Sequence, residues 1–265
     1  MRLPLPSRSV VAGQLRAAGC VFAEDEARLL LAAAGSAADL ERMLGQRAAG
    51  RPLEYILGWA EFCGLRISVE PGVFVPRQRT GLLVRLAAAL LRPGAVAVDL
   101  CCGSGAVGAA LAARVEGIEL HAADVDPAAV RCARRNIGPA GGLVHEGDLY
   151  AALPARLRGQ VSVLAANAPY VPTGEIAFMP PEARLHESRA ALDGGPDGLH
   201  LQRRVVAEAP AWLVPGGNLL VETSAGQASA TAALFVRAGL VPRVAADGDL
   251  AATVVVGTRP APGAA

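Results

Sequence analysis

Residues 161–172 read VSVLAANAPYVP. Val161, Val163 and Leu164 form a short apolar run with β-branched members, the pattern of a strand buried in a parallel sheet. The run ends at Asn167-Ala168-Pro169-Tyr170: an uncharged amide, a small residue, a rigid ring and an aromatic. Open α/β sheets bind ligands beyond the carboxyl ends of their strands, so this cluster is a candidate substrate clamp. An Asn-initiated turn closed by Pro would leave the same letters. The surrounding chain decides between the two.

Upstream and downstream of this stretch, strand and helix patterns alternate. Strands are expected at Ala95–Leu100, Ile118–Ala122, from Leu143, at Val161–Ala165, Asn218–Val221, Leu240–Val244 and Thr253–Val256. Helices are expected at Ala106–Arg114, Pro127–Asn136, Leu199–Trp212 and Ala228–Ala238. Repeated β–α units of this kind build a doubly wound, mostly parallel sheet. The last two strands are joined by only a short connection (245–252), so the final strand is expected to run antiparallel.

The amino-terminal part differs. Residues 9–50 carry helical periodicity, with Ser9 and Ser36 as candidate caps and an acidic first turn before Ala27, Leu30 and Leu31. Gly50-Arg51-Pro52 breaks the pattern, and 53–57 adds a further turn. LRISV and VFV, separated by Glu70-Pro71-Gly72, read as a β-hairpin folded at Pro-Gly. A helix follows from Thr80 to Leu91. The expected organisation is a helical domain at 1–60, a β-hairpin linker at 61–77, the α/β domain at 78–259, and a disordered tail at 260–265.

Composition narrows the function. A chain of 265 residues with 52% hydrophobic and 18% charged residues has ample material for a core. A net charge of +1 gives no field for non-specific grip on nucleic acid or anionic membrane. The five cysteines include no Cys-x-x-Cys, and MRLPLPSRSVV lacks the apolar core of a signal peptide. A reduced, cytoplasmic setting is expected. The four histidines lie without ligand spacing, so no metal site is expected. No apolar run reaches the length of a membrane span.

Asp99-Leu100-Cys101-Cys102-Gly103-Ser104-Gly105 lies between the first sheet strand and the helix behind it. Glycines there let backbone pass close to a ligand, and the helix start aims N–H groups at an anionic group. Such a turn alone is common, and no Lys-Ser or Lys-Thr follows to make a Walker loop. Two acids sharpen the reading. Asp124 ends the second strand, where a carboxylate can accept ribose hydroxyls. Asp148 follows the third, placed to accept from an adenine amine. Asp126, before Pro127, reads as a helix cap. Cys101-Cys102 reads as small side chains filling a tight turn rather than a redox pair.

Glycine loop, ribose acid, adenine acid and Asn-Ala-Pro-Tyr occur in the order of the class I S-adenosylmethionine-dependent methyltransferases. Residues 51–77, RPLEYILGWAEFCGLRISVEPGVFVPR, further resemble the interdomain segment of the HemK/PrmC family, the protein-(glutamine-N5) methyltransferases that modify peptide-chain release factors. HESRAALDGGPDGL (186–199) and VPGGNLLVETSAGQ (214–227) are similar to that family's later blocks. The resemblance implies a Rossmann-like class I methyltransferase sheet behind a small helical substrate-recognition domain. It implies that Asp99 and Cys101 to Gly105 hold the methionine part of S-adenosylmethionine. Asp124 would hold the ribose, and Asp148 with Leu149 would border the adenine. Asn167, Ala168, Pro169 and Tyr170 match the family's Asn-Pro-Pro-Tyr, which binds the substrate amide, with Asn167 also beside the cofactor. The chain departs from the pattern at Ala168 for the first Pro, at Cys101 for the first glycine, and at Gly81 for an acid; its helical domain is short.

The resemblance thus implies methyl transfer from S-adenosylmethionine to a glutamine side-chain amide in a protein, a release factor, by a cytoplasmic monomer. Other readings are a related enzyme acting on another amide or amine in a small molecule or peptide, an adenine-amine methyltransferase on nucleic acid, and a methyltransferase fold kept for binding. The neutral charge and the lack of a basic target-recognition domain count against nucleic acid.

Overall fold

The computed structural model describes residues 5–261. Four helices come first: α1 (Arg8–Ala17), α2 (Ala23–Ala33), α3 (Ala37–Ala48) and the short α4 (Leu53–Leu57). Ser36 caps α3 as its position suggested, its side chain accepting from the Asp39 N–H. Helix α1 begins two residues earlier than a Ser9 cap would place it, behind Ser7, so Ser9 lies inside the helix and is not its cap. Glu24, Asp25 and Glu26 fill the first turn of α2 and oppose the positive end of its dipole. Leu15, Leu30, Leu40 and Met43 pack these helices into a small core of their own. At its edge the buried Arg47 donates to Glu26 Oε2 at 2.6 Å and reaches Glu182, far along the chain, at 2.6 Å.

The hairpin comprises β1 (Trp59–Phe62) and β2 (Leu65–Ser68), paired antiparallel with Phe62 opposite Leu65. Its turn is Cys63-Gly64, not Pro71-Gly72. Both residues have positive φ, 53° and 81°, as a two-residue turn between twisted strands demands. VFV adds no strand. Val73 and Val75 are buried, and Gly72 instead forms an isolated parallel bridge with Glu187.

The α/β part follows as α5 (Gly81–Leu90), β3 (Val96–Leu100), α6 (Ala106–Arg114), β4 (Glu119–Asp124), α7 (Pro127–Ile137), β5 (Leu143–Glu146) and β6 (Val161–Ala166). Then come α8 (Pro181–His186), α9 (His200–Trp212), β7 (Leu213–Thr223), α10 (Ala228–Arg237), β8 (Val241–Asp247) and β9 (Ala252–Thr258). The strands form one sheet in the order β5-β4-β3-β6-β7-β9-β8. Strand β9 inserts between β7 and β8 and runs antiparallel to both. Strand β7 starts five residues before its expected first residue, with an irregular register between Val161 and Val163 of its partner. Asp126 caps α7 ahead of Pro127, as read.

Alternate side chains of the central strands serve two cores. Ala97 and Val163 face the layer that contains Leu83, Ala110 and Leu111. Val98, Leu100 and Leu164 face the layer of Val205, Ala209 and Trp212. The chain leaves β3 toward β4 on one side and returns to β6 on the other, and the sheet opens a crevice at that switch point. Among the described residues no helix is long and apolar enough to cross a membrane. Of the expected tail at 260–265, residues 262–265 lie outside the described residues.

Candidate active site

The crevice over the carboxyl ends of β3, β4 and β6 is a cleft partly open to solvent. Its walls bring together Asp99, Cys101, Cys102, Gly103, Ser104, Asp124, Asp148, Leu149 and Asn167 to Tyr170. Of the residues singled out in the sequence, Gly105 is the exception. Its φ is 77°, and a Cβ there would lie 2.9 Å from Ile137 and 3.0 Å from Ala133. That glycine serves the approach of α7 to the loop, not the cleft wall.

The loop is held by carboxylates. Asp99, 1% exposed, accepts the Gly108 N–H at 3.0 Å and so anchors the first turns of α6. Burial, and secondarily the charge of Asp124, push its carboxyl up to about 7. Asp124 accepts the Gly103 N–H at 2.8 Å and the Asp126 N–H at 3.0 Å, bridging the loop to the end of β4. Burial raises its carboxyl too. Asp148 is half-exposed and pairs with Arg204 at 2.6 Å. Cys101 adopts φ 54°, the left-handed conformation that suits glycine. Burial raises the thiols of Cys101 and Cys102, which keeps both protonated and unsuited to redox chemistry.

At the end of β6, Asn167 Nδ2 donates to Thr80 Oγ1 at 3.3 Å. Among the described residues no donor reaches Asn167 Oδ1. The Tyr170 hydroxyl donates to Glu222 Oε1 at 3.3 Å, and burial pushes the phenol up to about 12. Arg79 lies beside the Tyr170 ring and also donates to Glu222, at 3.4 Å. The Tyr170 carbonyl accepts from Gln227 Nε2 at 3.0 Å. The glycine-rich loop at 194–198 closes on the same backbone: a Cβ on Gly194 would meet the Pro169 carbonyl at 2.8 Å. On the rim, Glu187 takes both its oxygens to Arg77, at 2.7 and 2.8 Å, and accepts from the Val75 N–H. Arg79, Thr80, Glu222 and Gln227 were not singled out from the sequence. The doubled glycines of DGGPDG were the one local sign of a close backbone approach.

The site suits a ligand with a cationic head and a polyhydroxylated body. Among the described residues neither Asp99 nor Asp124 forms a salt bridge, yet the buried Asp99 and the partly buried Asp124 both stand on the cleft wall. An ammonium and ribose hydroxyls would supply what they lack. Sheet order and site together define a class I methyltransferase, an enzyme dependent on S-adenosylmethionine.

Comparison with known proteins narrows the class. The methyltransferase small domain pattern matches residues 64–196. A release factor glutamine methyltransferase of Geobacter sulfurreducens is 37% identical over 219 residues, covering 82% of this chain and 76% of that protein. One from Streptomyces coelicolor is 40% identical over 192 residues, covering 70% and 68%. The crystal structure of a methyltransferase from Pyrococcus furiosus shares the fold, with a TM-score of 0.56 at 18% identity over 74% of this chain and 90% of that one. The chain belongs to the release factor glutamine methyltransferase family.

Proposed function

We propose that the protein transfers a methyl group from S-adenosylmethionine to the side-chain amide nitrogen of a glutamine in a peptide-chain release factor. The observation that carries this reading is Asn167. Its amide N–H side is engaged by Thr80, which leaves the carbonyl oxygen for a donor inside the cleft. An amide nitrogen is a poor nucleophile because its lone pair is delocalised. The bound cofactor supplies an activated methyl on a sulfonium.

The residues of this chain then have to align the amide and accept its hydrogens as positive charge develops on nitrogen. Asn167 Oδ1 and the Ala168 carbonyl are the proposed acceptors, and Tyr170 walls the amide from water. No base is needed at the nitrogen if the proton leaves after transfer. Asp99 and the loop Cys101–Ser104 would hold the methionine part, with Gly105 securing the loop from behind. Asp124 would hold the ribose, and Asp148 and Leu149 would border the adenine.

On this reading residues 1–60 form a unit that recognises the protein substrate, the hairpin region to residue 77 joins it to the enzyme, and 78–259 carry the chemistry. The protein would act in the cytoplasm as a monomer, on protein rather than nucleic acid. The test is incubation with labelled S-adenosylmethionine and purified release factors, followed by peptide mass mapping. A single methylated glutamine is expected. Label on a different residue type, or none on protein while a small amide is methylated, would overturn the substrate.

A further inference from the structure

Gln227 bonds the backbone of the substrate clamp without lining the cleft. It stands immediately before α10, at the N-cap position, yet its side chain makes no capping bond to its own helix. The amide turns across to other segments instead. Ser224 Oγ donates to Oε1 at 2.8 Å, which leaves the two hydrogens of Nε2 for two acceptors. They go to the Tyr170 carbonyl at 3.0 Å and to the Asp197 carbonyl at 3.1 Å. Carbonyls can only accept, so one orientation of the amide satisfies all three partners. The approach needs Gly198, where a Cβ would lie 2.2 Å from Nε2. Asp197 is itself pinned, its carboxylate accepting the Leu199 N–H at 3.1 Å and pairing with Arg203 on α9.

The clamp is suspended between two fixed ends. Behind it, Ala166 is held in the sheet, paired with Leu100 on one side and Val221 on the other. Ahead of it, the peptide between Tyr170 and Val171 is bonded on both faces. Its N–H goes to the Leu192 carbonyl at 3.1 Å, and its carbonyl accepts from Gln227. Of the four residues between these ends, only Pro169 carries a ring, so φ at Ala168 is free to turn. A turn there swings the Ala168 carbonyl and the Asn167 amide unless the far end is fixed. Without Gln227, the peptide after Tyr170 keeps one bond and can tilt about it. We propose that Gln227 is a positioning residue: by holding the Tyr170 carbonyl it keeps the Ala168 carbonyl and Asn167 Oδ1 aimed at one point. The inference rests on the reading of those two oxygens as acceptors for the substrate N–H groups.

The variants are Gln227→Leu, which keeps most of the volume but has no donor, and Gln227→Glu, which keeps the shape but sets a carboxylate against two carbonyls. Each is made in the wild-type chain and in the Ala168→Pro chain, where a ring restricts the torsion, and each is compared with its own background. The full-length proteins are assayed for kcat and KM on release factor and, by calorimetry, for S-adenosylmethionine affinity. In the wild-type background kcat should fall by about 10-fold, short of the ~10²-fold cost of a 1 Å misplacement, with KM within about threefold and cofactor affinity within about twofold. In the Ala168→Pro background the same changes should cost less than about threefold, because ring and amide supply one constraint. A residue that served stability alone would cost the same in both backgrounds. Full kcat in both Gln227 variants, or equal fold losses in the two backgrounds, would overturn the role. If Gln227→Leu does not fold, Gln227→Glu in the two backgrounds decides by the same criterion. The acceptor reading fails separately, in full activity of Asn167→Ala, and the substrate reading in the wild-type product map; the ratios between backgrounds are then read on whatever acceptor that map identifies.

Discussion

If Asp99 faces the ammonium of the cofactor as proposed, its raised carboxyl makes cofactor binding pH-dependent. Asp99 is fully buried with one main-chain N–H as its bonded partner, and it titrates at about 7 rather than at the ordinary carboxylate value. Without cofactor, the folded protein therefore carries a proton on Asp99 at pH 6 that the unfolded chain has lost. The stability conferred by that protonated form is lost as pH rises from about 4 to about 7, on the order of a few kcal/mol. An ammonium on the cofactor reverses the preference, because it favours the charged carboxylate. Binding below pH 7 must first remove the proton, so affinity falls by about tenfold per pH unit there. Between pH 7 and pH 5.5 the dissociation constant should rise by roughly 15-fold. The upper limit of the window is set by the α-amino group, which itself titrates at ~7.7–8.0. Calorimetry at half-unit steps, repeated in buffers of different ionisation enthalpy, should show release of nearly one proton on binding at pH 6. Asp99→Asn keeps the acceptor for Gly108 but cannot ionise. It should bind weakly with a flat pH profile and, without cofactor at pH 8, melt above wild type. Asp124 is raised as well, and this variant separates the two acids. A flat wild-type profile, or an unchanged slope in Asp99→Asn, would refute the assignment.

Three further changes test other parts of the structure. Asn167→Ala should leave cofactor affinity within about twofold and lower turnover by around 10²–10³, the scale for one preorganised polar group at a reacting centre; full activity in a release-factor assay would remove Asn167 from the mechanism. Arg47→Met strands the buried Glu26 and severs the tie to Glu182, so urea denaturation should show a loss of about 3–5 kcal/mol, part of it regained in Arg47→Met/Glu26→Leu. Cys101→Gly relieves a left-handed φ worth ~1–2 kcal/mol against ~0.4–1 kcal/mol of added unfolded-state entropy. Its melting temperature should rise by about 1–3 °C while that of Cys101→Val falls, and a fall in both would show that thiol packing outweighs strain.

The parts of the fold legible in the sequence are those in which one local pattern has one structural answer. Pro127 behind Asp126, and the apolar runs at Val96–Leu100 and Val161–Ala166, are of this kind. The hairpin turn is not, because Pro71-Gly72 carries the stronger local signal. The chain instead turns at Cys63-Gly64, where the burial of Phe62 and Ile67 sets the register. Nothing local distinguishes a last strand at the edge from one inserted between β7 and β8. At the site, acids and amide were visible because each ends a strand. Their supports were not, since Thr80 meets Asn167 across 87 residues, and Tyr170 meets Glu222 across 52 and Gln227 across 57. Contacts at that separation leave no periodicity to read.

That same tertiary support accounts for two departures from the family pattern. Where the family has its first proline, Ala168 has no ring, but it is 1% exposed and precedes Pro169, which biases it toward extended geometry. The backbone after it is gripped from outside. A Cβ on Gly198 would stand 2.3 Å from the Tyr170 carbonyl, and Gln227 bonds that carbonyl directly. Rigidity that a ring would supply locally is thus supplied by a neighbouring loop, and the Ala168 carbonyl can be held as firmly as a proline carbonyl. Gly81, in place of an acid, departs in a different direction. A side chain there would lead toward Cys63 Sγ, at 3.7 Å from its Cβ, and Gly81 is not part of the cleft wall. The carboxylate that does touch the clamp comes from Glu222, on the strand beside it. One departure lies where neighbouring backbone holds the geometry, and the other lies away from the cleft, so neither removes a group that the proposed transfer requires.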